Sequence, residues 1–65
     1  MAEYPNYVVH FYFDDKFKMT VSTEASRTEN ALIIALNKLL TKTSILANSY
    51  IIYDIDNEET YKGNF

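Results

Sequence analysis

Tyr7-Val8-Val9-His10-Phe11-Tyr12-Phe13 decides how this chain of 65 residues is read. Successive side chains of a β-strand point to opposite faces. Tyr7, Val9, Phe11 and Phe13 therefore share one face, and Val8, His10 and Tyr12 share the other. Both faces are apolar or aromatic. A chain this short builds one domain around one core. The first set predicts the core side of a strand, and the second set needs some other cover.

The flanking residues give the strand its neighbours. Asp14-Asp15-Lys16 is a polar break suited to a tight turn, because Asp bonds its own local backbone. Phe17 to Ser22 alternates, with Phe17, Met19 and Val21 against Lys18, Thr20 and Ser22, which predicts a second strand. The short connection makes the pair an antiparallel hairpin. The wet face of the second strand places it nearer an edge than the first.

A helix follows. Ser26-Arg27-Thr28-Glu29 has the S-x-x-E spacing of a capping box, with Thr23 as a rival N-cap. Leu32, Ile33, Leu36, Leu39 and Leu40 fall within one helical arc. Ile34 points almost opposite and is a candidate second contact. The helix is expected to end near Thr41–Ser44. Ile45-Leu46-Ala47-Asn48 reads equally as helix exit, strand or loop. Tyr50 to Ile55 is a third strand, apolar on both faces. After a turn at Asp56-Asn57-Glu58-Glu59, Thr60-Tyr61-Lys62 allows a short fourth strand.

The order is β-β-α-β, with a further β if the tail returns. This predicts an α+β fold, a small antiparallel sheet of three to four strands with one helix on one face. Residues 1–65 form a single domain, with 1–6 and 62–65 expected to be loosely held. The expected core is Val9, Phe11, Phe13, Phe17, Met19, Val21, Leu32, Leu36, Leu39, Leu40 and two or three of Ile51, Tyr53 and Ile55. The uncovered sheet face is expected to carry Val8, His10, Tyr12, Tyr50 and Ile52, an apolar patch suited to a protein partner.

Composition narrows the function classes. There is no Cys, so there is no disulfide and no thiolate metal site. One His cannot build a His-based metal cluster. The single Gly excludes a Gly-rich phosphate loop. A net charge of −3 opposes direct nucleic-acid binding, which depends on Lys and Arg. No stretch is long enough to span a bilayer. The start of the chain has no secretory signal pattern, and with the absence of Cys this points to a cytoplasmic setting.

The polar residues offer little chemistry. Asp14-Asp15 would point opposite ways in a strand and make no acid/base dyad. His10 lacks a visible nucleophile and orienting group. Asp54-Ile55-Asp56-Asn57 resembles the start of a calcium loop, but the sixth position is not Gly and the twelfth is Phe65. No catalytic residue, metal or cofactor is expected.

Asp54, Asp56, Glu58 and Glu59 form a candidate acidic docking patch. Joined by Asp14 and Asp15, such a row could imitate phosphates and block a basic groove on a nucleic-acid-binding protein. The main expectation is a non-enzymatic protein-binding module, a modulator or inhibitor of a larger protein, working through the open sheet face. Self-association as a homodimer is an allied expectation. A short acidic chain rich in Tyr, Asn, Ile and Lys resembles, in style and without a shared motif, small accessory proteins of bacteriophages and AT-rich bacteria.

Overall fold

A computed structural model describes residues 4–42 and 47–65. Its elements are β1 (Asn6–Phe13), β2 (Lys16–Glu24), α1 (Thr28–Lys42), β3 (Ser49–Asp54) and β4 (Glu59–Asn64). The four strands form one antiparallel sheet in the order β2-β1-β3-β4, with α1 against one face. The fold is the expected α+β arrangement with the fourth strand present, and β4 continues past Lys62 to Asn64. No helix of the described residues is long and apolar enough to cross a membrane.

The chemistry of Asp accounts for the first hairpin. Asp14 and Asp15 both lie in the left-handed region, with φ of 51° and 65°. Two such residues between paired strands match the turn whose twist suits a hairpin. Asn48 then fastens the turn to the rest of the sheet. Its side-chain oxygen accepts the Asp14 amide at 3.2 Å, and its Nδ2 donates to Asp14 Oδ1 at 3.1 Å. Its backbone N–H donates to the Tyr12 carbonyl and its carbonyl accepts the Phe65 amide. Of the ambiguous stretch Ile45–Asn48, the first two residues lie outside the described residues, and Asn48 is this junction.

The core is a row of small contacts across the sheet. Val9 stands between Val21 on β2 and Ile52 on β3, and Phe11 stands between Met19 and Tyr50. Directly opposed residues in an antiparallel pair share a face. Val9, Val21, Phe11 and Ile52 are buried together with Tyr7, Ala25, Ala31, Ala35 and Leu39.

Three phases differ from the sequence reading. On β3, the register sends Ile52 and Tyr50 toward the helix and Ile51 and Tyr53 to the open face. Ile52 is only 2% exposed, so it belongs to the core and not to the open surface. Ile55 lies in the turn beyond β3 and is exposed. Alternation on β3 is apolar in both phases, so only pairing with β1 could choose between them.

On β2, the register slips between Phe11 and Tyr12. Phe11 pairs with Met19 and Tyr12 with Phe17, which leaves Lys18 as the extra residue of a β-bulge. The slip turns Phe17 to the open face, away from Met19 and Val21.

On α1, the buried stripe is Ala31, Ala35 and Leu39, with Leu32, Leu36 and Ile34 packed beside it. The helix is turned by about 100°, one residue's worth, from an arc centred on the large side chains. Alanines at the contact let the backbone come close to the sheet. Ile33 and Leu40 consequently stand 57% and 66% exposed, while Ile34 turns inward. At the helix start, Ser26 Oγ accepts a 2.8 Å bond from Asn30 Nδ2, and the expected box with Glu29 is not what forms there.

Gly63 lies opposite Tyr50, whose ring covers it. A Cβ at position 63 would fall on the ring's hydroxyl and Cζ. Gly63→Ala should therefore displace Tyr50 and destabilise the fold by about 1–3 kcal/mol in urea unfolding. Asn48→Ala removes both bonds to Asp14 and should lower stability by about 1–2 kcal/mol. Asp15→Gly should raise it by about 0.5–1 kcal/mol, by relieving a side chain from the left-handed region. A loss of stability in Asp15→Gly would contradict the turn assignment.

Candidate binding face

The open face is assembled from three strands. The central strand β1 supplies Val8, His10 and Tyr12, β3 supplies Ile51 and Tyr53, and the bulged β2 supplies Phe17. His10 stands at the centre of this set, between Thr20 on β2 and Ile51 on β3. Its ring lies 4.9 Å from that of Tyr53 and 5.4 Å from that of Phe17, both edge-on, and 6.5 Å from Tyr12. Tyr12 and Phe17 meet edge-on at 5.9 Å. These are favourable aromatic separations and tilts, so the rings brace one another without a covering layer.

Five members of the cluster are half-buried by their neighbours alone, and Phe17 is exposed. The polar rim contains Thr20 and Ser22 on β2, with Thr60, Lys62 and Asn64 on β4. Of the face expected from the sequence, Val8, His10 and Tyr12 are brought together. Tyr50 and Ile52 are on the opposite side, and Ile51, Tyr53 and Phe17 take their place. The missed signal lay in pairing: once Val9 pairs with Ile52, His10 must pair with Ile51.

The acidic residues serve the hairpin between β3 and β4 first. Asp54 is 4% exposed, and its two oxygens accept the Asn57 amide at 3.2 Å and Asn57 Nδ2 at 2.9 Å. That closes the turn locally. Asp56 Oδ2 accepts the Asn6 amide at 2.7 Å, which ties the turn to the start of β1. Glu58 is in the left-handed region with φ of 55°. Glu59 Oε2 accepts a 3.1 Å bond from the Tyr61 hydroxyl.

The two acidic turns do not align. Asp54 pairs with Tyr7 at the beginning of β1, whereas Asp14 follows its end. Seven residues of strand separate the two positions, roughly 23 Å. The row of six carboxylates is therefore not formed, and three of the four in the later patch, Asp54, Asp56 and Glu59, accept hydrogen bonds from neighbouring residues. Among the described residues, no group of three or more His, Cys, Asp or Glu side chains could hold a metal ion.

Ile34, the other candidate contact, lines a shallow recess with Tyr4, Ala25 and Ser26, and packs against the core. The exposed apolar positions of α1 are Ile33 and Leu40 instead.

The Tyr61–Glu59 pair yields a direct electrostatic check. The hydrogen bond to the carboxylate, together with its negative charge, holds the Tyr61 phenol above its ordinary value. Losing the proton would break that bond and leave two anions side by side. In an alkaline titration followed residue by residue by NMR, Glu59→Gln should bring Tyr61 down toward about 10. An unchanged midpoint would show that the two side chains do not interact. Comparison of the chain with protein-family models, curated proteins and solved structures finds no match.

Proposed function

We propose that this chain is a binding module without catalysis of its own, and that it acts on a larger protein, as modulator or inhibitor, through its open sheet face. The observation that carries this reading is the apolar cluster of Val8, His10, Tyr12, Phe17, Ile51 and Tyr53 on a face that α1 does not cover. Interface centres are rich in aromatic side chains and poor in charge, with a polar rim. This face has that composition. Tyr is well suited to it, since each ring supplies large area at low cost in side-chain entropy.

The surroundings of His10 support binding over catalysis. A general base needs an orienting partner and a reacting group within hydrogen-bond reach. Among the described residues, the rings of Tyr12, Phe17 and Tyr53 surround His10, with Thr20 and Ile51 directly across. The edges of the sheet support a face over an edge as the contact. A bulge interrupts β2 at Lys18 and Lys62 stands on β4. Bulges and lysines are common ways of discouraging strand addition.

A tagged chain expressed in its native host tests the reading, with retained proteins compared across variants. Phe17→Asp and Tyr53→Asp should each abolish retention of the target. A triple reversal of Asp56, Glu58 and Glu59 to Lys should leave it within about threefold, as expected for charges at a rim. The opposite ranking would refute the open face and favour the acidic turn. Circular dichroism of each variant checks that the fold survives. Phe17, at 55% exposure, is the safer of the two positions.

A further inference from the structure

We propose that the outer edge of β2, beside Lys38 of α1, takes an extended acidic segment of a partner protein as a fifth strand. This edge is separate from the open face, and the inference does not depend on that reading.

The backbone is the first argument. β2 stands at one end of the sheet. The Ala25 amide donates to the Pro5 carbonyl at 3.2 Å, one step beyond the pair Asn6–Glu24. Hydrogen-bonded and non-hydrogen-bonded pairs alternate along an antiparallel ladder. Thr23 and Val21 are therefore bonded to β1, and Glu24, Ser22 and Thr20 turn their amides and carbonyls outward. The other side of β1 has the same phase, since the Asn6 carbonyl accepts the Ile55 amide. Of the outward groups, the Glu24 carbonyl accepts the Thr23 hydroxyl at 3.3 Å. The rest have no partner among the described residues. The bulge at Lys18 ends the regular ladder on one side, and from Met19 to Glu24 it is unbroken.

The groove beside this edge is the second argument. One recess lies between Lys38 and Met19–Ser22. A neighbouring one lies between Lys38, Ser22–Glu24 and the start of β1. Ser22 and Lys38 belong to both, so the two follow the same edge. α1 thus walls one side of the position that a fifth strand would take. The opposite edge has no such wall, because α1 makes no close contact with β4.

Charge selects the occupant. Lys16 and Lys18 are on β2 and Lys38 stands beside it, three of the six cationic side chains in the sequence. None of the three forms an ion pair among the described residues. Asp14-Asp15 and Glu24 flank the stretch, and no acidic residue lies between Lys16 and Thr23. Lysines at an edge discourage strand addition in general. Two β2 edges brought together would set lysine against lysine, and like charges directly opposed are destabilising. A strand that carries carboxylates is the exception. In a strand added to β2, residues opposite Val21 and Thr23 fall on the α1 side of the sheet. Asp or Glu at those alternate positions meets Lys38, and Lys16, opposite Phe13, is on the same side. Main-chain bonds then supply affinity and the alternate side chains supply specificity.

The probe is a capped peptide of about eight residues alternating Val and Glu, added to about 1 mM to the isotope-labelled full chain and followed by NMR. Hydrogen exchange of the Thr20, Ser22 and Glu24 amides should slow by about tenfold. Val21 and Thr23, already bonded to β1, should change little. The double reversal Lys16→Glu with Lys38→Glu should weaken the Val-Glu peptide by about tenfold. The same variant should accept the matching Val-Lys peptide. Circular dichroism checks that it is folded.

Unchanged exchange at Thr20, Ser22 and Glu24 in the wild-type chain would overturn the inference. Slowing centred on Thr60, Lys62 and Asn64 would also overturn it, by placing the added strand on β4. Shifts confined to His10, Tyr12 and Tyr53 would overturn it too, and would place the peptide on the open face. Equal binding of the Val-Glu and Val-Lys peptides by the wild-type chain would overturn the selection by charge.

Discussion

A helix with its side chains is about 10–12 Å across, and the sheet beneath α1 is wider, at about 19 Å for four strands. One helix cannot roof such a sheet, let alone line both faces. The chain places α1 where the burial is densest, over the row Val21–Val9–Ile52. Alanine at positions 31 and 35 allows that close seat, and both are fully buried. The consequences run outward from there. Ile33 and Leu40 are left on the solvent side of α1, the Phe65 ring stacks on Phe11 and leans on Tyr50, and among the described residues no helix covers the far face of the sheet. The apolar surface reflects a shortage of covering elements more than an excess of hydrophobic residues.

The structural links at the sheet ends compensate in part. Asn48 collects the ends of β1 and β4 and the first turn, and Asn6 does the same at the opposite end. The Asn6 amide donates to Asp56, its carbonyl accepts the Ile55 amide, and the Pro5 carbonyl accepts the Ala25 amide. These bonds hold four strands in register where side-chain packing from above reaches fewer of them. Asp56 thus has a structural duty that explains an acidic residue at that point without any ligand.

What could be read in the sequence was limited by periodicity. The open-face membership of Val8, His10 and Tyr12 followed from alternation in β1 and from there being one helix. Both remain sound because β1 is central and its phase is anchored by Val9. The phase of β3 was not readable. Tyr50-Ile51-Ile52-Tyr53 is apolar in either phase, and pairing with β1, a non-local event, selects one. The position of Phe17 depended on a one-residue bulge, which leaves no mark in an alternating pattern. The helix misled for a different reason. Large residues dominate a reading of amphipathicity, yet small ones give the closest approach to a sheet. Ile34 was turned inward by that rotation.

The strand order also divides the chain by sequence distance. β1–β2 and β3–β4 are hairpins closed by short turns, while the pairing of β1 with β3 joins residues on either side of α1. Hairpins form in about 1–10 μs, and contacts across a long loop bear its closure entropy before they are rewarded. The β1–β3 seam therefore bears the largest closure entropy of the three pairings. Until it closes, Val9 and Phe11 lack one flank, and the ring cluster around His10 lacks Tyr53. The open face exists only where β1 and β3 are paired, so its surface reports that the two hairpins are joined.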